Sequence, residues 1–370
     1  MKILIDFEDK ANKYWGVPLA TIDDIKSMLT IQTCNIELWI SKKEKNLIDL
    51  IPGIDYENLK FLDIAKIDIS RPSNMHLWLQ QFYRCFENYG HDFFYTDHFP
   101  SINLKNSKRI IRLHDPFSKY ANPILEFRSK GKLKHKVARA LRNHAFNNVR
   151  DQSILVCNTK FTAEKISKIY GIPLESLSII PYGLNWNTFD YIQSIRGAYA
   201  GEDNYYLMVS GLRGRKRPDI VINTWANLKN LPSLIVVGNI PLDSISDQAK
   251  KQIEFGRLVL KSRVSEHDLN ILRINANAMI FASEYEGFGR PVIEALMAGV
   301  PSIANDLEVF KEIDPNAVDF FSLNNPESLE NLLEKYSSKI KQEESRILTS
   351  KASVYSYSEV GKMWDKLLKS

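Results

Sequence analysis

The chain alternates short apolar runs with segments whose apolar residues recur every three or four positions. Runs of four to six residues at 2–7, 36–40, 109–113 and 153–157, and then at 205–210, 234–237 and 278–281, read as buried strands. Helical spacing covers 160–170 and 219–228. Continuous apolar strands separated by helices are what a parallel sheet covered on both faces demands, so the expected fold class is α/β. The pattern restarts near residue 205. Two stretches rich in turn formers precede it, Pro181-Tyr-Gly-Leu-Asn-Trp-Asn-Thr188 and Arg196-Gly-Ala-Tyr-Ala-Gly201, and they place an inter-domain connection there.

Composition supports two domains. A chain of 370 residues exceeds what one core usually holds, and 44% hydrophobic with 25% charged residues is a globular balance. Asp6, Glu8 and Asp9 stand where a signal peptide needs apolar residues, and nowhere do 18 apolar residues run together. Cys34, Cys85 and Cys157 are odd in number and far apart, which builds neither a disulfide framework nor a CxxC metal site. A cytoplasmic chain is expected. No His or Cys cluster has zinc spacing and no GxxxxGK[ST] loop occurs, so neither metal nor cofactor is expected.

The segment Ser283-Glu-Tyr-Glu-Gly-Phe-Gly-Arg-Pro-Val-Ile-Glu294 carries the strongest chemistry. A strand ends at 281, Gly287 and Gly289 flank Phe288 in a loop, and Pro291 stands where a first helical residue is favoured. A helix start presents backbone amides and the positive end of its dipole to oxygens brought close by the glycines. Glu286 and Glu294 frame that site. Carboxylates repel phosphate but accept hydrogen bonds from hydroxyls, as a sugar or a ribose offers. An acid that merely stabilises its own helix accounts for Glu294 but not for Glu286 with both glycines. A second cluster, Ser210-Gly-Leu-Arg-Gly-Arg215-Lys216-Arg217-Pro218, lies between a strand and a helix. Cations there stabilise charge on a departing diphosphate, and a solvated basic turn is the competing reading. His114, with Asp115 and Pro116, follows a strand end, where ligands of such sheets bind; a structural hydrogen-bonder fits that position equally well.

Glu286, seven residues and then Glu294 resemble the E-x7-E signature of retaining GT-B glycosyltransferases, particularly family GT4. Pro181-Tyr-Gly-Leu-Asn resembles the family's Pro-Asn-Gly-Val-Asp turn, and Phe161-Thr-Ala-Glu164 its Phe-Thr-x-Glu helix start. The likeness covers most of 100–325. It implies two Rossmann-like domains facing each other across a cleft: an acceptor-side domain over 1–195, a nucleotide-sugar domain over 196–354, and a last helix, 355–370, crossing back to the first. It implies that Arg215 and Lys216 take the diphosphate, that Glu286 and His114 meet the donor sugar, and that Glu294 meets the ribose. It also implies Gly16 near the donor phosphates and Val264 near the base. One departure is that Ser210-Gly211-Leu212 stands where many members have Gly-Arg-Leu, which leaves either lighter phosphate ligation or a contribution from Arg213. No Asp-x-Asp occurs, which argues against the metal-dependent GT-A type.

The net charge of +5 is unevenly spread. Eight Lys or Arg residues and no acid fall within 128–150, and Leu133, Val137, Leu141 and Ala145 recur every four residues among them. Such a helix can lie on an anionic membrane surface, giving peripheral association at its inner face, or pack on the first sheet with its charges solvated. Nucleic acid is not an expected partner, because no recognised motif accompanies the charge. The expected function is transfer of a hexose from a UDP- or GDP-linked sugar to a glycan or lipid-linked acceptor in surface polysaccharide or lipopolysaccharide assembly. A sugar phosphorylase, a nucleotide-sugar epimerase and an inert binding subunit of a glycosylation complex are the rivals.

Overall fold

The computed structural model describes residues 1–6, 17–39, 59–61, 90–97, 107–114, 147, 150–184, 191, 194, 204–210 and 215–370. Gly16, Asp115, Pro116, Arg213 and the basic run, apart from Asn147 and Arg150, lie outside the described residues. Two compact units emerge, Met1–Leu184 with Tyr355–Ser370, and Asn185–Val354. The division falls after Leu184, ahead of residue 195, because Leu184 is still tied to the first unit: its N–H donates to the Tyr355 carbonyl at 2.7 Å.

The first unit is built on a parallel sheet whose strands are β1 (Lys2–Asp6), β2 (Asn35–Trp39), β3 (Leu59–Phe61), β4 (Phe93–Thr96), β5 (Lys108–Leu113), β6 (Ser153–Cys157) and β7 (Leu177–Ile179). They lie in the order β3-β2-β1-β4-β5-β6-β7. The chain runs outward from β1 to β3 and returns to β4 on the other side of β1, which makes the β1/β4 boundary the switch point of the sheet. Ile3, Leu4 and Ile5 are buried, as a central strand covered on both faces requires. Helix α1 (Val17–Leu29) and α2 (Lys160–Tyr170) belong to this unit. Thr159 caps α2 by accepting from the Thr162 N–H at 3.0 Å, and Gly171, with φ 63°, ends it.

β5 carries an arginine into the core. Arg112 is buried, and its Nε lies 2.9 Å from Asp24 Oδ2, to which Tyr95 also donates at 2.7 Å. Pairing and hydrogen bonding offset the desolvation of Arg112 and part of that of Asp24, whose pKa burial still raises above its ordinary 3.8. The C-terminal helix, Tyr357–Lys369, adds Val360, Trp364 and Leu368 to the same core as Ile3, Ile25 and Tyr95. Gly361 permits this approach to α1: a Cβ there would stand 2.1 Å from Thr30 Oγ1 and 2.6 Å from the Ser27 carbonyl.

The second unit repeats the plan with β8 (Tyr205–Val209), β9 (Ser233–Val237), β10 (Leu258–Lys261), β11 (Ala278–Phe281), β12 (Ser302–Asn305) and β13 (Val318–Phe321), in the order β10-β9-β8-β11-β12-β13. All pairs are parallel. The helices are α3 (Pro218–Asn227), α4 (Asp247–Glu254), α5 (Glu266–Asn275), α6 (Arg290–Met297), α7 (Glu308–Lys311), α8 (Pro326–Lys335) and α9 (Gln342–Ala352). Trp225 of α3 fills the core with Val221, Ile222, Val236, Ile280 and Ile303. Here the order reverses between β8 and β11. The basic loop follows β8 and the glycine loop follows β11, so both candidate motifs leave the carboxyl ends of the two strands at the switch point, where open α/β sheets bind ligands.

Candidate functional site

The two loops are stitched together by their backbones and by one cation. The Glu284 N–H donates to the Arg215 carbonyl at 2.7 Å. Arg217 donates to Glu284 at 2.7 Å and to Asp219 at 2.9 Å, and hydrogen bonds to Asp219 and then to Glu284 raise its pKa above the ordinary arginine value. Arg217 therefore braces the loop, and it does so with left-handed backbone, φ 42°, at the N-cap of α3. Below the loop, Asn305 donates from its amide to the Ser283 carbonyl at 2.9 Å.

This frame sets Arg215 beside Glu286. Arg215 Nη2 lies 3.8 Å from Glu286 Oε2, while Ser283 donates to Glu286 Oε1 at 2.8 Å. The arginine side chain is 42% exposed and the glutamate 15%, so the acid is held from below and the cation reaches outward. Lys216, Ser210, Glu286 and Phe310 line one narrow pocket at the ends of β8 and β11. A carboxylate and a cation on one pocket, with a second cation paired to that carboxylate, can accept from hydroxyls and donate to phosphate oxygens side by side.

The loop closes by way of two buried neighbours, Gly287 and Phe288, and ends at Gly289, the N-cap of α6. Gly289 has φ 92°, and a Cβ on it would meet Phe310 Cδ1 at 2.9 Å, so both backbone and space select glycine. Pro291 follows in the first turn. Glu294 lies further along α6 and is gripped from α5: Arg273 donates to its Oε2 at 2.8 Å, and also to Glu266 at 2.8 Å and Asn270 at 2.7 Å. Arg273 is buried, and nothing in the local sequence distinguishes it from a solvated helix arginine.

Val264 stands apart from that pocket. With Lys261, Arg263, Ser265 and Asp268 it lines a second cavity between the end of β10 and the start of α5. α5 thus has Val264 beside its first turn and Arg273, holding Glu294, in its last.

In the first unit, His114 follows β5. Its Nδ1 lies 2.7 Å from the Tyr182 hydroxyl and its Nε2 lies 3.8 Å from Asp97 Oδ2. Asn158 donates to the same hydroxyl at 3.1 Å. Tyr182 lies in the Pro-Tyr-Gly turn quoted from the sequence, but its partnership with His114, like those of Asn158 and Asp97, comes from three separate strand ends and had no sequence signal.

Among the described residues no group of three His, Cys, Asp or Glu could hold a metal ion, and no helix is long and apolar enough to cross a membrane. Residues 193–352 match the family model described as glycosyl transferases group 1. Over 157 residues, 41% of this chain and 42% of the relative, the sequence is 30% identical to the O-antigen chain mannosyltransferase RfbU of Salmonella typhimurium. It is 29% identical over 154 residues to the serotype-specific mannosyltransferase WbdA of Escherichia coli, 40% of this chain and 19% of that one. The chain thus spans less than half the length of these curated relatives. Among solved structures it resembles Anabaena HepE in complex with UDP and glucose, with TM-score 0.66, 16% identity, and coverage of 100% of this chain and 99% of that one.

Proposed function

We propose that this chain, a GT-B protein whose residues 193–352 form a glycosyl transferases group 1 domain, is a retaining hexosyltransferase of the GT4 type. It takes a nucleoside-diphosphate sugar, UDP- or GDP-linked, as donor and a glycan or lipid-linked acceptor in surface polysaccharide or lipopolysaccharide assembly. The observation that carries the reading is the ion pair of Arg215 with Glu286 at 3.8 Å, with Lys216 on the same pocket at the switch point. Arg215 and Lys216 neutralise the departing diphosphate, so the reading calls for no metal or other cofactor. Glu286 accepts from hydroxyls of the donor sugar, Gly287, Phe288 and Gly289 admit the phosphates, and Gly16 is assigned to the same phosphates. Glu294 accepts from the ribose, and the base lies by the backbone of Val264. His114 serves the sugar.

That the matched relatives are named an O-antigen chain mannosyltransferase and a serotype-specific mannosyltransferase favours a mannosyl donor. Retention proceeds on the front face, the departing phosphate taking the acceptor proton; a covalent glycosyl-enzyme trapped by mass spectrometry would overturn that step. The test of the function is a thermal-shift screen of UDP-, GDP- and dTDP-sugars followed by turnover. One donor class should raise the melting temperature and stay largely intact until a polysaccharide or lipid-linked acceptor is added. Donor consumed without acceptor points instead to an epimerase or phosphorylase, and no stabilisation by any donor defeats the reading.

A further inference from the structure

Three side chains from three other segments close round the ring of His114. Tyr182 Oη lies 2.7 Å from Nδ1, Asn158 Nδ2 lies 3.1 Å from the same Oη, and Asp97 Oδ2 lies 3.8 Å from Nε2. One carbonyl sets the pattern of donors. Asn158 Nδ2 also faces the main-chain carbonyl of His114. A carbonyl only accepts, so it is the nitrogen of the Asn158 amide, with its two hydrogens, that stands on this side. One hydrogen goes to the His114 carbonyl and the other to Tyr182 Oη. Tyr182 then accepts from Asn158 and has one hydrogen of its own to give.

The electrostatics around Tyr182 and His114 act in the same direction. The Arg112 guanidinium lies 4.7 Å from the centre of the Tyr182 ring, where a cation draws charge from the ring and favours the phenol as donor. Asp24 pairs with Arg112 and holds it there. At 3.8 Å Asp97 is too far from Nε2 for a hydrogen bond, yet close enough to favour a proton on that nitrogen. Thr21 donates to Asp97 Oδ2 at 3.2 Å and steadies it. Nε2 is buried with no hydrogen-bond partner among the described residues.

We propose that Tyr182 and Asn158 are positioning residues that hold neutral His114 as its Nε2–H tautomer. The Tyr182 hydroxyl donates to Nδ1, and Nε2–H is left as a directed donor for a hydroxyl of the transferred sugar. The role of the Nε2–H, though not the tautomer, rests on the reading of His114 given above. In the resembling family the turn has Asn where this chain has Tyr182, so the device belongs to this chain's own sequence.

The tautomer is measured directly by nitrogen NMR of the full chain labelled at its seven histidines, with His114→Gln identifying the signal of interest. The expected spectrum near neutral pH has Nδ1 of His114 as the unprotonated, pyridine-type nitrogen and Nε2 as the protonated one. A protonated Nδ1 overturns the proposal without any variant. Tyr182→Phe, which keeps the ring, should mix the two tautomers and lower kcat about tenfold with KM for donor little changed. Asn158→Ala should do the same more weakly. If Tyr182→Phe leaves both nitrogens as in the native protein, Tyr182 does not set the tautomer and the proposal fails. If the tautomer behaves as expected but His114→Gln keeps full transfer activity, the proposal stands and the assignment of His114 to the sugar falls.

Discussion

Arg273 and Glu294 form an ion pair, Nη2 to Oε2 at 2.8 Å, in which the arginine side chain is 6% exposed and the acid 27%. The pair ties α5 to α6 and fixes the direction of a carboxylate that faces partly to solvent. A carboxylate has two oxygens, so one can be held by Arg273 while the other accepts from a ligand hydroxyl.

Replacing this arginine should affect stability and donor affinity together. Arg273→Met leaves Glu294, Glu266 and Asn270 without their shared donor. The expected loss is about 3 kcal/mol in urea unfolding and about tenfold in the calorimetric affinity for the nucleoside diphosphate. Arg273→Lys should restore part of the stability but less of the affinity, because a point charge cannot serve three acceptors in one plane. Affinity unchanged in Arg273→Met would show that Glu294 serves the fold alone.

Removing charge at the switch point should act on the transition state. Glu286→Gln keeps the side chain's size and its acceptor for Ser283 but loses the anion, and it should lower kcat by about 10²-fold with little change in donor binding. Arg215→Ala should lower kcat by about 10² to 10³-fold if, as proposed, it meets the leaving diphosphate, because negative charge builds there between the ground state and the transition state. Steady-state kinetics with the donor found by thermal shift decide both. Equal loss in KM and none in kcat would mean that these groups only bind the ground state.

Gly289→Ala tests the glycine loop by itself. Its φ of 92° is costly for any residue with a Cβ, and that Cβ would press on the Phe310 ring. A loss of about 1–3 kcal/mol is expected in denaturant unfolding. Combining it with Phe310→Leu should recover part of that loss by removing the contact but not the backbone strain. A double variant no better than the single one would assign the whole effect to φ.

Acid should destabilise the first unit in two stages. His91 Nε2 lies 2.9 Å from Glu37 and Lys2 Nζ lies 3.1 Å from the same carboxylate. Burial lowers the His91 pKa below its ordinary 6.5 even though Glu37 opposes the shift. Burial pushes Glu37 upward, but hydrogen bonds from Lys2 and His91 outweigh it and bring the carboxyl below its ordinary 4.5. Both groups bind fewer protons folded than unfolded, so stability is full at higher pH and falls with acid. The His91 contribution is lost as pH falls from 6.5 towards its folded value, and the Glu37 contribution as pH falls from 4.5 through its own. Urea midpoints between about pH 8 and about pH 4 should show both stages, and His91→Gln should abolish the first. An unchanged first stage in that variant would assign it to other histidines.

Much of the architecture is legible in the sequence because buried parallel strands and amphipathic helices leave local patterns. The runs at 153–157 and 160–170 coincide with β6 and α2, and 278–281 coincides with β11. Other elements left no such mark. β3 and β7 have three residues each, and β12, Ser-Ile-Ala-Asn, is buried yet half polar. Such strands owe their existence to neighbours already in place, which supply the ladder partners and the covering surface. α1 contains Asp23, Asp24 and Ser27, polar residues that sequence patterning assigns to solvent; Arg112 and Tyr357 reach two of them from far along the chain and make their burial tolerable.

The candidate site divides in the same way. The glycine loop, the proline that starts α6, the two glutamates and the basic loop are adjacent or nearly adjacent residues, and their chemistry follows from residue type and spacing alone. The sequence by itself thus determined which groups the second unit offers to a ligand. Which of them meet was decided by the strand order that sets β8 beside β11, by Glu284 accepting from Arg217, and by a buried arginine on α5 that directs Glu294. The same holds for His114, whose partners Asp97, Asn158 and Tyr182 follow three different strands. Short-range periodicity records how a segment is covered. It carries no record of which distant segment covers it, because that choice is made by the summed packing and pairing of the whole sheet.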